Sequence, residues 1–341
     1  SYWSGRQRFE YRYRILVCVT ILQALMNPIA SLVLIRINGG TAMMRILGIV
    51  GVQVCICVPI IVFQFCKGKE FFSKEYWGYA LRIGIPIVPH YLSGIILNQG
   101  DRIMIDKMVG KTEVALYGLA YSIGMLVQLF ISGMNSALTP WMYSKIKKGD
   151  IRSMRKVLQL LSIVVVGIAV ALMLISPEMV LIFGSPKYRE AVYVIPPVAA
   201  SVFFIFIYNI LSMPQFYYEK TQFLMAASMA AAGANVVLNF IFIRLFGYIA
   251  AGYTTLACYM LYSVGHYIVS KQILVNEGIQ ENLMSPGFLV ACSVFLIGAS
   301  IICNLIFPYR ILRYAILLAS AGLVFWKKEL LLKTMADIRK K

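Results

Sequence analysis

The chain has 341 residues, of which 60% are hydrophobic and only 13% charged, with a net charge of +18. A water-soluble domain carries about 45–50% apolar and about 25% charged residues, so too few charges are present to cover a water-facing surface. The composition and a mean hydropathy of +0.78 exclude a soluble globular protein, a disordered chain and a disulfide scaffold.

A helix needs about 20 mainly apolar residues to cross a hydrocarbon core about 30 Å thick. Stretches free of Asp, Glu, Lys and Arg occur at 15–35, 46–66, 83–100, 114–144, 157–177, 191–218, 221–243, 245–270, 282–309 and 314–326. They predict ten transmembrane helices. The last stretch has 13 residues and spans only if Arg310 and Arg313 snorkel to the interface. A β-barrel would alternate apolar and polar residues, whereas 163–168, and 199–207 apart from Ser201, are apolar. The predicted fold class is therefore an all-α, polytopic transmembrane bundle.

With the N-terminus inside, the inner segments hold 22 of the 32 Lys and Arg and the outer segments 10. The positive-inside rule then places both ends of the chain in the cytoplasm. The same rule, with contact to anionic lipids, accounts for the positive charge without a nucleic-acid partner.

Residues 1–14 form a basic, aromatic stretch without a signal-peptide cleavage site. They read as a cytoplasmic loop, and the chain as lacking earlier helices. The seven cysteines lie in or beside apolar runs, without zinc-ligand spacing. They read as small buried hydrophobes, and no metal site is expected.

An offset of 208 residues superimposes the first two spans on the seventh and eighth. Asn27 falls on Asn235, Arg36 on Arg244, Gly39 on Gly247 and Ala42 on Ala250. A six-helix repeat unit with both copies in one orientation follows.

Polar side chains in a bilayer face a cavity or a partner helix. In the third span, Asn98, Asp101 and Arg102 share a face, and Pro86 and Pro89 are candidate hinge positions. A helix-end pair of Arg102 with Asp106 is the structural alternative. In the fourth span, Tyr117, Tyr121, Gln128 and Asn135 form one predicted stripe. Asn235 and Asn239 pair at i, i+4 in the seventh, where structural packing competes with lumen lining. His90 and His266 are solitary histidines. No Asp-x-Asp motif, P-loop or long outer loop supports catalysis.

The stretch Gly84-Ile-Pro86-Ile-Val-Pro89-His90-Tyr-Leu-Ser93-Gly-Ile-Ile-Leu-Asn98-Gln-Gly-Asp101-Arg102 resembles the polysaccharide transporter family. These are O-antigen and capsule flippases of the multidrug/oligosaccharidyl-lipid/polysaccharide exporter superfamily. The resemblance continues through Val114-Ala-Leu-Tyr117-Gly-Leu-Ala-Tyr121, Thr139-Pro140-Trp141 and Asn235-Val-Val-Leu-Asn239. It implies a 14-helix, two-lobe exporter of which the first four helices are absent. Residues 1–66 would end the N-terminal lobe, 67–82 form an amphipathic cytoplasmic linker, 83–275 the six-helix C-terminal lobe, 282–326 two additional helices and 327–341 a basic cytoplasmic tail.

The implied substrate is a polyprenyl-pyrophosphate-linked oligosaccharide, moved from the inner to the outer leaflet of a bacterial inner membrane without an enzymatic step. Membrane lipids and other polysaccharide-assembly proteins are the implied partners. Arg102 would attract pyrophosphate or anionic sugar. Asp101 and Asn98 would orient it, and Tyr117 and Tyr121 would stack on sugar rings. Gln128, Asn135, Asn235 and Asn239 complete the lumen candidates. No cofactor is implied. For H+ or Na+ coupling, Asp101 and His90 are the candidates. The competing readings are a multidrug cation antiporter of the same superfamily, an O-antigen polymerase or ligase, and a non-transporting scaffold.

Overall fold

The computed structural model describes residues 2–37, 42–68 and 72–326. The predicted basic tail at 327–341 lies outside the described residues, as do positions 38–41 and 69–71. Among the described residues every regular element is helical. The helices are α1 (Tyr2–Phe9), α2 (Tyr13–Ile37), α3 (Ala42–Gly68), α4 (Lys74–Met108), α5 (Lys111–Gly124), α6 (Leu126–Lys147), α7 (Ile151–Phe183), α8 (Ile195–Tyr217), α9 (Thr221–Phe246), α10 (Ile249–Asn276), α11 (Pro286–Ile306) and α12 (Arg310–Trp326). A 3₁₀ segment, Pro186–Val194, leads into α8. Among the described residues, eight helical stretches are long and apolar enough to cross a membrane. Neither α10 nor α12 is among them, so the ten predicted spans are not all matched on that criterion.

The chain divides into two compact units, residues 1–81 and 82–341, with the boundary inside α4. In the first unit, α2 and α3 pack on each other. Ser31 on α2 donates to the Arg45 carbonyl at 3.2 Å, and a Cβ on Gly48 would lie 2.6 Å from the Ser31 Cα. Cys18, Cys55, Cys57 and Cys66 are exposed, Cys292 is half-buried and Cys258 and Cys303 are buried, because an apolar helix face turned to acyl chains carries a thiol without needing protein to cover it. The expectation of seven buried cysteines is corrected accordingly. Residues 2–9, read from sequence as loop, are helical. The Arg6–Glu10 pair at 2.6 Å closes α1 and holds the Glu10 carboxyl below its ordinary range.

The second unit is built around α8. Its run Ile195–Ile207 is apolar on nearly every side, and a helix of that kind must be covered on every side. All thirteen of these residues are buried. Helices α5, α6, α7, α10 and α11 surround it. At Gly124 the end of α5 meets α8 so closely that a Cβ would sit 2.7 Å from Val198 Cγ1. There the predicted single span at 114–144 breaks into α5 and α6, with Met125 between them.

Helix α12 is anchored by charge. Arg313 does not snorkel: it is buried and grips Glu178 of α7 with two hydrogen bonds of 2.8 Å. It also donates to the Leu174 carbonyl at 2.7 Å. Pro177 removes one backbone donor from this turn of α7, and Ser176 donates its hydroxyl to the Met173 carbonyl at 2.7 Å. The correction has a physical reason: a carboxylate and exposed carbonyls are available beside Arg313, so pairing replaces escape to the interface.

The repeat is visible in the helix boundaries. Adding 208 to the ends of α2 and α3 reproduces the ends of α9 and α10 to within one residue.

Candidate functional site

The site lies within the second unit, where α4, α5, α9 and α10 converge on Asp101. On α4, Leu97, Asp101 and Ile105 fall one turn apart and are buried together. Two polar side chains on this helix bond backward within it. Ser93 donates to the Pro89 carbonyl at 2.8 Å, and Asn98 donates to the Gly94 carbonyl at 2.7 Å. Such self-satisfaction suits a helix away from water. The helical assignment runs unbroken past Pro86 and Pro89.

Asp101 is fully buried. Its Oδ2 accepts from the Tyr117 hydroxyl at 2.5 Å and from the Thr255 hydroxyl at 2.6 Å. Its Oδ1 accepts from Asn239 Nδ2 at 2.6 Å. Asn239 in turn donates to Asn235 Oδ1 at 3.2 Å and accepts from Thr254. No ion pair to Asp101 occurs among the described residues. A carboxylate out of water is costly unless paired or hydrogen-bonded, and here three neutral donors stand in for a cation. Two of them are hydroxyls that can rotate. If Oδ2 took up a proton, either hydroxyl could turn and accept from it. The site therefore accommodates Asp101 with or without its proton while keeping its shape.

Arg102, the next residue, points elsewhere. It is half-buried and lines an open cleft of about 620 Å³ with Tyr91, Asn98, Gln99, Tyr121 and Tyr208. It donates to Gln99 at 2.9 Å rather than to Asp106, and its guanidinium lies 5.2 Å from the Tyr121 ring centroid. Its Nε is buried without a partner. Asn98 presents its carbonyl oxygen to two phenols, accepting from Tyr121 at 2.8 Å and Tyr259 at 3.3 Å. The Tyr117 and Tyr121 rings stand 5.7 Å apart. A chain of direct contacts thus joins the buried carboxyl to the cleft: Asp101, Tyr117, Tyr121, Arg102.

The structure brings together Asn98, Asp101, Arg102, Tyr117, Tyr121, Asn235 and Asn239. It does not bring in Gln128 and Asn135. The break at Met125 interrupts the predicted stripe, and the side-chain oxygens of both residues are buried without partners. Burial also separates the grouped residues by reach. Asp101, Tyr117, Asn235 and Asn239 have no exposed surface, whereas Asn98, Arg102 and Tyr121 line the cleft. His90 lies 3.0 Å from the Tyr262 hydroxyl.

Sequence reasoning missed Thr254, Thr255, Tyr259 and Tyr262 on α10, and Tyr208 and Gln215 on α8. A signal existed. Thr255, Tyr259, Tyr262, His266 and Ser270 recur at helical spacing on one face of α10.

Comparison with known proteins gives concordant results. A family model described as "Polysaccharide biosynthesis protein" matches residues 7–147, and the MatE model matches residues 86–241. A protein of the Lsg locus of Haemophilus influenzae is 28% identical over 172 residues, covering 47% of this chain and 41% of its own length. An uncharacterized membrane protein of the same species is 29% identical over 191 residues, covering 52% of this chain and 46% of its own. The chain thus spans less than half the length of these relatives. No solved structure matches it significantly. The long apolar helices and these matches indicate an integral membrane protein. Together the two family matches, each over less than half of the chain, and the Haemophilus relatives support a similarity to polysaccharide transporters of the multidrug/oligosaccharidyl-lipid/polysaccharide exporter superfamily.

Proposed function

We propose that the protein carries polyprenyl-pyrophosphate-linked oligosaccharide from the cytoplasmic to the outer leaflet of a bacterial inner membrane by alternating access, driven by a proton exchanged at Asp101. The observation that carries this reading is the adjacency of two opposite environments on α4. A dry carboxyl has three neutral donors, and the next residue is a cation facing an open cleft.

The lipid tail can stay in hydrocarbon while the headgroup needs polar surroundings. Arg102 supplies charge-assisted hydrogen bonds to pyrophosphate or acidic sugar, Asn98 and Gln99 supply amide partners, and Tyr121 and Tyr91 supply rings for sugar faces. Asp101 works through its neighbours. Protonation turns Tyr117 or Thr255, Tyr117 packs on Tyr121, and Tyr121 supports both Asn98 and Arg102. A proton suits Asp101 better than Na+ because both carboxyl oxygens already face hydrogen-bond donors. A cleft whose charged side chain is Arg102 favours an anionic headgroup over the cations of a drug antiporter. Both chain ends are assigned to the cytoplasm, where other polysaccharide-assembly proteins would meet them.

The test is reconstitution of the full chain into vesicles carrying a fluorescent polyprenyl-pyrophosphate oligosaccharide, with a pH gradient imposed. Translocation should follow the gradient and fall at least tenfold in Arg102→Ala and Asp101→Asn at equal incorporation. Wild-type rates in R102A, or uptake of cationic drugs without lipid translocation, would overturn the reading. Dependence on a sodium gradient in place of the pH gradient would overturn the proton.

A further inference from the structure

The mechanism above leaves unused a line of buried polar groups on α10. Thr255, Tyr259, Tyr262, His266 and Ser270 follow at intervals of four, three, four and four, so they share one face. All five are buried. At about 1.5 Å per residue the line covers about 22 Å of helix. Its upper end donates to Asp101 at 2.6 Å through Thr255. Its lower end lies six residues from the end of α10 at Asn276.

The neighbours of this line are also titratable or polar. His266 Nδ1 sits 2.8 Å from Nε2 and 3.2 Å from Oε1 of Gln215 on α8. Tyr208, which lines the cleft, packs on Tyr259, Tyr262 and His266 at ring separations of 6.3, 4.5 and 5.8 Å. Tyr262 reaches His90 of α4. No charged side chain faces His266 from α4, α8 or α10 in these contacts. One turn apart, His266 Nε2 and Ser270 Oγ are both buried without a partner. Each such unsatisfied group costs about 1–3 kcal/mol, so a proton or a water that bonds to either one is favoured there.

We propose that this face of α10 is a proton path between the Asn276 end of the helix and Asp101, with His266 as its relay. The inference rests on the reading of Asp101 as the proton-exchanging group. An imidazole can bind a proton at one ring nitrogen and release the other nitrogen's proton, so it passes charge on without net change. Ser270, one turn nearer Asn276, is the next polar group along the face. Gln215 holds the ring at Nδ1, and the phenols of Tyr262, Tyr208 and Tyr259 continue toward Asn98 and Asp101.

The test follows the carboxyl directly. In the purified full chain in lipid nanodiscs, time-resolved infrared spectroscopy after a pH jump reads the protonated-carboxyl band that Asp101→Asn removes. His266→Gln, which keeps a polar partner for Gln215, should slow the rise of that band at least tenfold. The midpoint of its equilibrium titration should not move. Tyr262→Phe should slow it less. Wild-type kinetics in both variants overturn the path while leaving Asp101 in place. A shifted midpoint with an unchanged rate assigns His266 a structural role and also overturns it. A wild-type band that does not titrate overturns the Asp101 reading itself, and the path falls with it.

Discussion

Asp101 and Arg102 are adjacent in sequence yet occupy opposite chemical settings, because successive helical residues point about 100° apart. The difference gives distinct expectations for each substitution. Asp101→Ala removes the acceptor that Tyr117, Thr255 and one N–H of Asn239 share. Each orphaned buried group costs about 1–3 kcal/mol, so thermal unfolding in detergent should shift down by several degrees. Asp101→Asn keeps the shape and two acceptor lone pairs, so its unfolding midpoint should stay closer to wild type while gradient-driven transport is lost. An equal loss of stability in both variants would contradict the argument. Asn98, Asp101 and Arg102 were legible as a group from their spacing alone. The division of labour between them was not, because it depends on which neighbouring helix covers which side of α4.

At the scale of elements, two packing contacts make specific claims. The α5–α8 crossing leaves no room for a side chain at Gly124. Gly124→Ala should destabilise by about 1–3 kcal/mol, the usual cost of overpacking, and Val198→Ala should recover most of it in the double variant. Additive losses in that cycle would show that the two positions do not touch. The α7–α12 contact rests on Glu178 and Arg313. Arg313→Ala strands a carboxylate that is three-quarters buried and should cost about 3 kcal/mol. Removing both charges, with Met at 178 and 313, should cost less than Arg313→Ala alone, read from denaturation midpoints. Helix identity was legible from apolar run length. The break at Met125 was not, since 114–144 reads as one uninterrupted apolar run and the tight seat against Val198 is a tertiary event. Gln128 and Asn135, in register with Tyr117 and Tyr121 by sequence, lie beyond that break on α6.

For the whole molecule, the helix boundaries repeat at an offset of 208 residues to within one residue, although only eight positions coincide over 15–63. Within each hairpin a polar bond joins the two helices: Ser31 to the Arg45 carbonyl in one, Thr254 to Asn239 in the other. Topology can be read independently. In a cysteine-free variant, single cysteines at Lys148 and Lys187 should be labelled by an impermeant maleimide from opposite sides of the membrane, with Lys148 cytoplasmic. Labelling from the same side would contradict the charge-based orientation.

Sequence by itself determined that the chain is helical and membrane-embedded, roughly where its helices begin and end, and which polar residues on α4, α5 and α9 are out of place in hydrocarbon. These properties are local: run length, charge and spacing along one helix settle them. Tertiary structure decided which of those residues meet, that Thr255 and Tyr259 of α10 join them, and that Arg313 pairs inward instead of reaching for water. Contacts between helices depend on rotation and crossing geometry, and a periodic pattern on one helix cannot specify what stands opposite.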